Sequence, residues 1–587
     1  MSIKEKIRQI YDLHGRLMIF ACAATFMWAA MYCVYDVSTA CWPGKAAHLL
    51  IVLCEALFIN SFILVLRGRW RIILPVIIWV TGVFMLGNVL YYRYSGDLLP
   101  LSLSFRGESY NSFVFSAVPT LFCWSDMIYI LCPAVVTILY GTMHVSHARI
   151  LRASRGWICV AVCFLIWLGS HFMGAYSQYR YCRAANVPVR YGSILHDKFV
   201  PHRTGARRSL WYWNEMLVYL YQNILTPNPY SRIELDDTQR SMIGDFIRTN
   251  SGAEKTWHDS IFALNKDKNL ILLVVESLNA DAVGLRINGQ PITPTLDSLI
   301  NVPGTISCLS MVTQVSTGAS SDGQFMYNTG LLPLRGDAVA MLYADNTYRS
   351  LVRELGYRNS FEIIVEDSYI WNHDATSAAY GYKKLVDGVD DGTTLRDARM
   401  ISRGLEEIRS TPQPFMLQLV TLSMHYPFND PGMAHPSWIN GHGSPIENRY
   451  LMAVNAFDAE LKRLIDGLKG MGVYENTVIV VVSDHDQDPL GDSEQSHPIV
   501  FMAVNTGVSQ RIYRPVGQID VFPTIKQIMG KCTGWQGVGM SILDDRNSST
   551  VDASGNLHGT SSATVDENKR RAWEISELIV RSDFLAE

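Results

Sequence analysis

The sequence is poor in charge. Only 18% of its 587 residues are Asp, Glu, Lys or Arg, and the formal net charge is -4. It lacks a basic stripe and any recognised nucleic-acid motif, so we expect no nucleic-acid partner. Cysteine is scarce outside the N-terminal region, which argues against a disulfide framework but leaves one bridge among Cys182, Cys308 and Cys532 open. In contrast, 48% of the residues are hydrophobic, which is not typical of a purely soluble enzyme.

Apolar runs are concentrated in the N-terminal third, and most approach the ~20 residues needed to cross a bilayer. The runs are Leu17–Tyr35, Ala46–Leu66, Ile72–Tyr92, Ile128–Met143 and Trp157–Ala175. The fourth is the shortest, and an apolar stretch at 113–124 leaves its boundary open. The first run lacks a small-residue cleavage site and is followed at once by four more, so we do not expect a cleaved signal peptide.

The basic residues predict the topology of these spans. Short basic segments precede the first run and separate the second from the third and the fourth from the fifth, whereas the intervening loops carry few. By the positive-inside rule the N-terminus is cytoplasmic, and five crossings place the chain after Ala175 outside. The sequence therefore predicts a multi-pass protein of the cell (inner) membrane with an extracytoplasmic C-terminal domain.

The exported part begins with an aromatic stretch and then changes its pattern. Ser209–Leu225 is rich in Trp and Tyr, and we favour a helix at the membrane surface over an ordinary core helix. From about residue 268, short continuous apolar runs alternate with helical segments, a pattern typical of strands buried on both faces of a mostly parallel sheet. The runs are Asn269–Ser277, Phe415–Ser423, Thr477–Asp484 and His497–Val504.

These patterns predict an α/β fold in the exported domain. Ile446–Gly472 is an amphipathic helix with Gly472 as its stop, and the polar segment Ser548–Asn568 is a loop before a final helix. We expect three parts: residues 1–176 as a five-span transmembrane domain, 177–267 as a juxtamembrane linker with interfacial helices, and 268–587 as the catalytic domain.

Acidic residues follow two of the predicted strands. Glu276 follows the first, and Asp484 and His485 follow "TVIVVVS". Ligands gather at the carboxyl ends of parallel strands, and buried carboxylates are usually paired or metal-bound. An exposed capping or loop role would suffice for one strand, but two strands with three candidate ligands favour a divalent metal site.

The loop "GASSDGQF" supplies a candidate nucleophile where it passes into a helix. Ser320, Ser321 or Asp322 could cap that helix, whose N-terminus would attract a phosphate. A serine hydroxyl needs a base or a metal to act as a nucleophile at neutral pH, and a cation held by the three ligands would supply it. Taken alone, the loop would be read as a plain cap.

The chain resembles the lipoteichoic acid synthase family of the alkaline phosphatase/sulfatase-like superfamily over nearly its whole length. The similarity includes five N-terminal spans and an extracytoplasmic domain. The matching motifs are "VVES" (Val274–Ser277), "GASSDGQF" (Gly318–Phe325), "WNHD" (Trp371–Asp374), "TLSMHYPF" (Thr421–Phe428), "SDHD" (Ser483–Asp486) and "QIDVFPTI" (Gln518–Ile525). The resemblance implies a sulfatase-like domain with a mostly parallel central sheet.

Site roles follow from this resemblance. It implies a metal bound by Glu276, Asp484 and His485, with the nucleophile as the fourth ligand. The family's nucleophile is Thr in a G-K-T-S-D loop; here Ser320 takes that position and Ala319 replaces the Lys. The resemblance favours Mn²⁺ as the bound ion, while the ligand types also suit Zn²⁺ or Mg²⁺.

The resemblance also assigns substrate-binding residues. His425 aligns with a substrate-binding His, and Trp371 aligns with a Trp of the headgroup pocket. The Arg that usually lies two residues beyond that Trp is His373 here, so a bidentate phosphate donor is missing and the identity of the headgroup stays open.

The predicted activity is transfer of a phosphoglycerol-type headgroup from a membrane phospholipid donor, phosphatidylglycerol first, through a covalent Ser320 intermediate to a lipid or glycan acceptor. The alternatives are phosphoethanolamine transfer, a phosphodiester hydrolase and a catalytically inactive lipid receptor. A sulfatase is disfavoured because the maturation motif after the Ser is absent. Ser321 and Thr317 remain alternative nucleophiles, and the oligomeric state is open.

Other ionisable residues keep two readings each. Asp486, Asp488 and His497 could hold a second metal or face solvent. Within the second apolar run, Glu55 and His48 lie on one helical face, where an ionisable group indicates function, but structural roles are equally compatible.

Overall fold

The structure is a computed structural model. It describes residues 23–27, 42–62, 65–66, 72–95, 122–142, 153–184, 191–192, 231–250, 259–368, 370–426, 428–487 and 496–586. The chain divides into two compact units, Met1–Pro229 and Tyr230–Glu587. The second unit thus takes in residues 230–267 of the predicted linker. The predicted surface helix Ser209–Leu225 lies outside the described residues.

The first unit is helical where it is described. Its helices are α1 (Trp42–Ser61), α2 (Ile73–Ser95), α3 (Ile128–Thr142) and α4 (Ala153–Ala184). Helix α1 packs on α4 through Phe58, whose ring stacks on Trp167 with centroids 5.6 Å apart. Helix α2 meets α3, where Trp79 Nε1 donates a hydrogen bond of 3.0 Å to Thr137 Oγ1. These contacts make two helix pairs within the unit.

One helix within the described residues is long and apolar enough to cross a membrane, Gly156–Ser177 in α4. Shorter apolar helices lie at Leu50–Ser61, Pro75–Leu90 and Trp124–Ile138. They coincide with the second, third and fourth predicted runs, but each apolar stretch is shorter than the ~20 residues that a full crossing needs. The five-span arrangement therefore stays a prediction. Glu55 is buried in this unit, and the side chain of His48 lies outside the description.

A nine-stranded mixed sheet forms the centre of the second unit, in the order β10-β4-β9-β8-β1-β7-β5-β6, with β11 beside β4. Strand β9 is antiparallel to both β8 and β4, and the other pairs are parallel. The strands of this sheet are β1 (Asn269–Val275), β4 (Ile306–Val312), β5 (Asn359–Ile364), β6 (Lys384–Val386), β7 (Phe415–Val420), β8 (Thr477–Ser483), β9 (Ile499–Val504), β10 (Gln510–Ile512) and β11 (Val516–Gly517). The predicted α/β class with a mostly parallel sheet is confirmed.

Both faces of this sheet are buried, which explains the continuous apolar runs. Along β1, Leu272 and Val274 belong to one hydrophobic core, while Leu273 and Val275 belong to the other. The four predicted strand runs correspond to β1, β7, β8 and β9. Strand β1 ends before Glu276, β8 ends before Asp484 and β9 begins after His497, which leaves these residues at the edge of the sheet.

Helices cover the two faces. They are α5 (Asp237–Asn250), α6 (Asp259–Phe262), α7 (Pro294–Leu299), α8 (Ser320–Thr329), α9 (Val339–Leu342), α10 (Leu351–Leu355), α11 (His373–Tyr380), α12 (Arg396–Ser410), α13 (Pro445–Gly470), α14 (Val521–Ile528) and α15 (Ala563–Ser582). Helix α13 begins at a capping box, because Ser444 Oγ accepts from Glu447 N and the Glu447 side chain returns the bond. It ends as predicted just before Gly472, whose φ is +68°.

Two small hairpins lie outside the sheet, β2 (Arg286–Ile287) with β3 (Gln290–Pro291), and β12 (Ser549–Val551) with β13 (Leu557–Gly559). The second hairpin and the start of α15 at Ala563 replace the loop predicted for Ser548–Asn568, so that prediction was wrong. The segment is polar, yet Trp573 Nε1 donates to Val551 O and anchors the hairpin on α15.

Candidate functional site

The first acidic residue lies where β1 ends. All seven residues of β1 are buried, and the chain leaves the strand at Glu276, which is only 3% exposed. Thr421 Oγ1 accepts from Glu276 N at 2.9 Å, and Ser277 Oγ donates to Glu276 Oε1 at 2.6 Å. Glu276 Oε1 thus accepts a hydrogen bond from the next residue, and Glu276 Oε2 is left for a partner outside this turn.

Strand β8 brings the second carboxylate beside the first. It is parallel to β1 with Val275 opposite Ser483, so Asp484 and Glu276 emerge at the same edge of the sheet. Asp484 is 1% exposed, and its Oδ1 accepts from Ser277 N at 2.8 Å and from His485 N at 2.7 Å. Ser277 thus donates to one oxygen of each carboxylate, through its hydroxyl to Glu276 Oε1 and through its N–H to Asp484 Oδ1.

The imidazole of His485 is oriented by its own loop. Its Nδ1 lies 2.8 Å from Asp486 O, and because a carbonyl oxygen only accepts, Nδ1 carries the hydrogen. In the neutral ring Nε2 is therefore unprotonated. That nitrogen lies 3.5 Å from Glu276 Oε1 and 3.6 Å from Asp484 Oδ2.

Glu276, Asp484 and His485 form a group that could hold a metal ion, with candidate ligand atoms all within 4.8 Å of one another. Two buried carboxylates beside one imidazole need a compensating positive charge. Oxygen and imidazole donors of this kind suit a divalent cation. The residues present therefore fit the metal that the sequence predicts.

The electrostatics reflect this crowding of negative charge. Burial together with the neighbouring Glu276 raises the pKa of Asp484 to about 7. Burial opposes the charged form of His485, but Asp484 and Glu276 outweigh it and raise its pKa to about 9. The site attracts a cation, and a proton can take that place when no other cation is bound.

Ser320 begins helix α8 and lies against these ligands. Its Oγ donates to Glu276 Oε2 at 3.1 Å and lies 3.3 Å from His485 Nε2. Ser321, by contrast, is buried and its Oγ donates to Gly318 O at 2.7 Å. Of these two hydroxyls, that of Ser320 faces the ligand group.

Asp322 holds the loop before Ser320 by accepting hydrogen bonds from its backbone. Asp322 is fully buried, and its Oδ2 accepts from Ser316 N at 2.9 Å and Gly318 N at 3.0 Å. A Cβ at Gly318 would lie 2.2 Å from Asp322 Oδ1, which explains the glycine. The capping expectation was wrong: the N-cap position is Ala319, without a side-chain cap, and the three proposed residues lie in the first turn of α8.

Gly323 lets this helix approach strand β8 closely. A Cβ at this position would meet Asp484 O at 2.5 Å and Asp484 Cα at 3.0 Å. One turn further on, the Tyr327 hydroxyl donates to Ser483 O. The helix that carries Ser320 is therefore packed directly on the backbone that carries two ligands.

Gln518 connects the same elements and was quoted in a sequence motif without a role. Its Nε2 donates to Asp484 O at 2.6 Å and to Tyr327 OH at 2.9 Å, while its Oε1 accepts from Gln314 N at 2.6 Å. Such a contact has no local signature in the sequence, because its partners are remote along the chain.

The predicted substrate-binding residues occupy two segments. His425 follows β7, is half-buried, and interacts electrostatically with Glu276. Trp371 and His373 lie at the start of α11. His373 is buried, with its Nδ1 3.8 Å from Glu362 Oε1. Trp371 has φ +54°, a left-handed conformation that is rare for a large side chain.

The candidates for a second metal make contacts of their own beside the described ligand group. Asp486 Oδ2 accepts from His497 N at 2.9 Å, and His497 Nδ1 lies 3.0 Å from Asp281 Oδ2. Asp488 is outside the described residues. Among the residues that the structure describes, the metal-binding group contains Glu276, Asp484 and His485 only.

Comparison with known proteins agrees with this architecture. Residues 268–531 match the sulfatase family and residues 2–181 match the lipoteichoic acid synthase N-terminal domain. The chain is 23% identical to the lipoteichoic acid synthase-like protein YvgJ of Bacillus subtilis over 86% of this chain and 84% of that protein. It is 26% identical to the lipoteichoic acid synthase of Staphylococcus saprophyticus, over 49% and 50% of the two chains. Among solved structures, the lipoteichoic acid synthase LtaP of Listeria monocytogenes aligns with a TM-score of 0.49 and 22% identity, over 58% of this chain and 98% of that one.

The second unit is thus an alkaline phosphatase/sulfatase-like domain, the class of enzyme that its sheet and its acidic ligand group define. The matched N-terminal domain narrows this class. The chain combines a lipoteichoic acid synthase N-terminal domain with a sulfatase domain and is similar to lipoteichoic acid synthases over most of its length, and it is an enzyme of the phosphotransferase type.

Proposed function

We propose that the protein transfers a phosphoglycerol-type headgroup from a membrane phospholipid, phosphatidylglycerol first, to a hydroxyl acceptor on a lipid or glycan. The observation that carries this proposal is the position of Ser320 Oγ, 3.1 Å from Glu276 Oε2 and 3.3 Å from His485 Nε2. This position supports a nucleophilic role for the Ser320 hydroxyl beside the candidate cation-binding group. Three relatives that match over most of the chain are named as lipoteichoic acid synthases or as synthase-like, which supports the choice of headgroup.

In the first half-reaction the Ser320 oxygen attacks the phosphorus of the donor. A bond forms between Oγ and phosphorus while the bond from phosphorus to the diacylglycerol oxygen breaks. The serine hydroxyl loses its proton to solvent as it attacks, and diacylglycerol takes up a proton as it leaves, while Glu276 orients the hydroxyl through the hydrogen bond that it accepts. A divalent cation bound by Glu276, Asp484 and His485, with Mn²⁺ as our first choice, supplies positive charge that favours the ionised serine and offsets charge on the phosphate.

In the second half-reaction the acceptor hydroxyl attacks the phosphoryl group held on Ser320. The bond from phosphorus to Oγ breaks, the new ester forms, and the proton of the acceptor returns to Ser320. His425 lies near Glu276 and would bind the phosphate, with Trp371 and His373 beside the glycerol. Each half is an in-line exchange at phosphorus, so one site serves both.

Attachment to the membrane would bring the catalytic domain close to its lipid donor. We propose five spans with a cytoplasmic N-terminus and an extracytoplasmic catalytic domain, which would hold Ser320 beside the lipid and raise its effective concentration. Single cysteines introduced in the predicted loops, labelled in intact cells with a membrane-impermeant reagent, test this topology. Labelling of the loop at 67–71 in intact cells would contradict it.

The experiment on chemistry uses the full chain in detergent with Mn²⁺ and glycerol-labelled phosphatidylglycerol. The wild type should release diacylglycerol and carry label after an acid quench, and Ser320→Ala should carry none. Ser321→Ala is the matched variant, because its hydroxyl bonds a loop carbonyl, and it should still be labelled. Label that persists in Ser320→Ala and is lost in Ser321→Ala would overturn the assignment of the nucleophile.

The mass of the trapped adduct identifies the headgroup. A phosphoglycerol adduct supports the proposal, and a phosphoethanolamine adduct from a mixed-lipid donor would replace it with the alternative transferase. Release of glycerol phosphate to water at the same rate with or without an acceptor lipid would instead indicate a hydrolase.

A further inference from the structure

Ser277 adopts a backbone conformation that serine rarely takes. Its φ is +53°, in the left-handed region, and the residue is 1% exposed. Side chains with a Cβ are disfavoured there relative to glycine. A strained residue of this kind persists where its surroundings fix it, and such residues cluster at functional sites.

The strained backbone brings two donors of Ser277 to two different carboxylates. Its hydroxyl donates to Glu276 Oε1 at 2.6 Å, and its N–H donates to Asp484 Oδ1 at 2.8 Å. The two carboxylates belong to neighbouring parallel strands and carry like charges in their ionised forms. Donors placed on one oxygen of each stabilise them side by side.

Tyr450, a buried residue of helix α13, holds Ser277 in this conformation. The Tyr450 hydroxyl, on α13, donates to Ser277 O at 2.9 Å and accepts from Asn279 N at 2.9 Å. Tyr450 is itself 3% exposed. The N–H of Ser277 is bonded by Asp484 and its carbonyl by Tyr450, so the strained residue cannot relax without breaking a buried hydrogen bond.

The hydrogen bonds from Ser277 engage one oxygen of each carboxylate. The oxygens bonded to Ser277 are Glu276 Oε1 and Asp484 Oδ1. The other two are Glu276 Oε2, 3.1 Å from Ser320 Oγ, and Asp484 Oδ2, 3.6 Å from His485 Nε2, and Glu276 Oε1 itself lies 3.5 Å from that nitrogen. A freely rotating carboxylate would offer either oxygen and lose orientational freedom on binding a cation.

We infer that Ser277 is a positioning residue that presets Glu276 and Asp484 for a divalent cation, through its hydroxyl and its left-handed N–H. This inference rests on the proposed metal-dependent function. The inference explains why a serine occupies this strained position. Glycine would fit the left-handed backbone better, but it would lack the hydroxyl that bonds Glu276.

The test compares Ser277→Ala with Ser277→Gly in the full chain in detergent. Mn²⁺ affinity is measured by calorimetry, and unfolding is measured by denaturant titration of the metal-free protein. Both variants lose the hydroxyl, so both should bind Mn²⁺ roughly 10- to 100-fold more weakly, the usual effect of losing a group that orients a ligand. The glycine variant alone relieves the strain, so its folding equilibrium constant should exceed that of the alanine variant by about fivefold or more.

Two further variants complete the design. Ser582→Ala removes a hydroxyl that donates to Leu578 O at the end of α15, and it should bind Mn²⁺ like the wild type. Tyr450→Phe keeps the Ser277 hydroxyl but removes its backbone anchor, and should weaken Mn²⁺ binding less than Ser277→Ala. Should neither Ser277 variant fold, weaker binding in Tyr450→Phe still supports the inference and unchanged binding overturns it.

The outcomes separate the inference from the proposed function. Wild-type affinity in both Ser277 variants overturns the inference, and so does wild-type affinity in Ser277→Gly alone, since backbone strain would then explain the alanine effect. A wild type that binds no Mn²⁺ and transfers no headgroup refutes the proposed function instead.

Discussion

Gly323→Ala is the sharpest test of how the nucleophile is placed. The added Cβ would lie 2.5 Å from Asp484 O and 3.0 Å from Asp484 Cα, both of them backbone atoms that cannot rotate away. Helix α8 would have to withdraw by about 1 Å, and Ser320 would move with it; a misplacement of this size costs on the order of 100-fold in rate. We expect headgroup transfer to fall about 100-fold, and the free energy of unfolding to fall by about 1–3 kcal/mol from overpacking.

The matched control is Gly244→Ala, in helix α5, where an added Cβ meets nothing within 4 Å. It should leave transfer unchanged and stabilise the chain by up to about 1 kcal/mol, the difference in helix propensity. Transfer is measured as diacylglycerol released from labelled phosphatidylglycerol by the full chain in detergent, with circular dichroism to confirm folding. A folded Gly323→Ala protein that transfers at the wild-type rate would refute the close approach of α8 to Asp484.

Three further predictions concern stability and the cation. Burial raises the pKa of Asp397 to about 7, above the ~4 of an unfolded aspartate, so its contribution to stability is greatest below about pH 4 and is lost as the pH rises to 7. In denaturant titrations the free energy of unfolding of the wild type should fall by up to about 4 kcal/mol more than that of Asp397→Asn between pH 4 and pH 7. The same pH profile in both proteins would contradict this. Tyr327→Phe removes the bond to Ser483 O and should lower the free energy of unfolding by about 1–3 kcal/mol in the same titration, whereas an unaltered midpoint would count against it. Dialysis against a chelator should abolish transfer and Mn²⁺ should restore it better than Mg²⁺; full activity after chelation would argue against a metal-dependent reaction.

The predictable parts of the fold are those with a strong local pattern. Strands β1 and β8 are continuous aliphatic runs because they are buried on both faces, and the end of α13 is marked by Gly472. Strand β4 is partly exposed and pairs with β9 and with strands near residue 510, so neither its pattern nor its partners are local. The hairpin at Ser549–Gly559 was missed because polar residues form it and α15 anchors it.

The site was predictable to the level of its ligands but not of their orientation. Two acidic strand ends in a parallel sheet must share an edge, which brings Glu276 and Asp484 together from sequence reasoning alone. The choice between Ser320 and Ser321 depends on which hydroxyl faces the ligands, and the left-handed turn at Ser277 depends on Tyr450. Those features are set by contacts between residues that are remote in the chain.

The parallel pairing of β1 with β8 has a consequence for biogenesis. Ser277 and Asp484 are joined by a hydrogen bond although 207 residues separate them along the polypeptide. Until β8 has been synthesised, a nascent chain carries Glu276 but lacks Asp484 and His485, two of the three candidate ligands. A cation bound by all three residues would therefore enter only after most of the chain has been made, and a product that ends before β8 would lack the complete group.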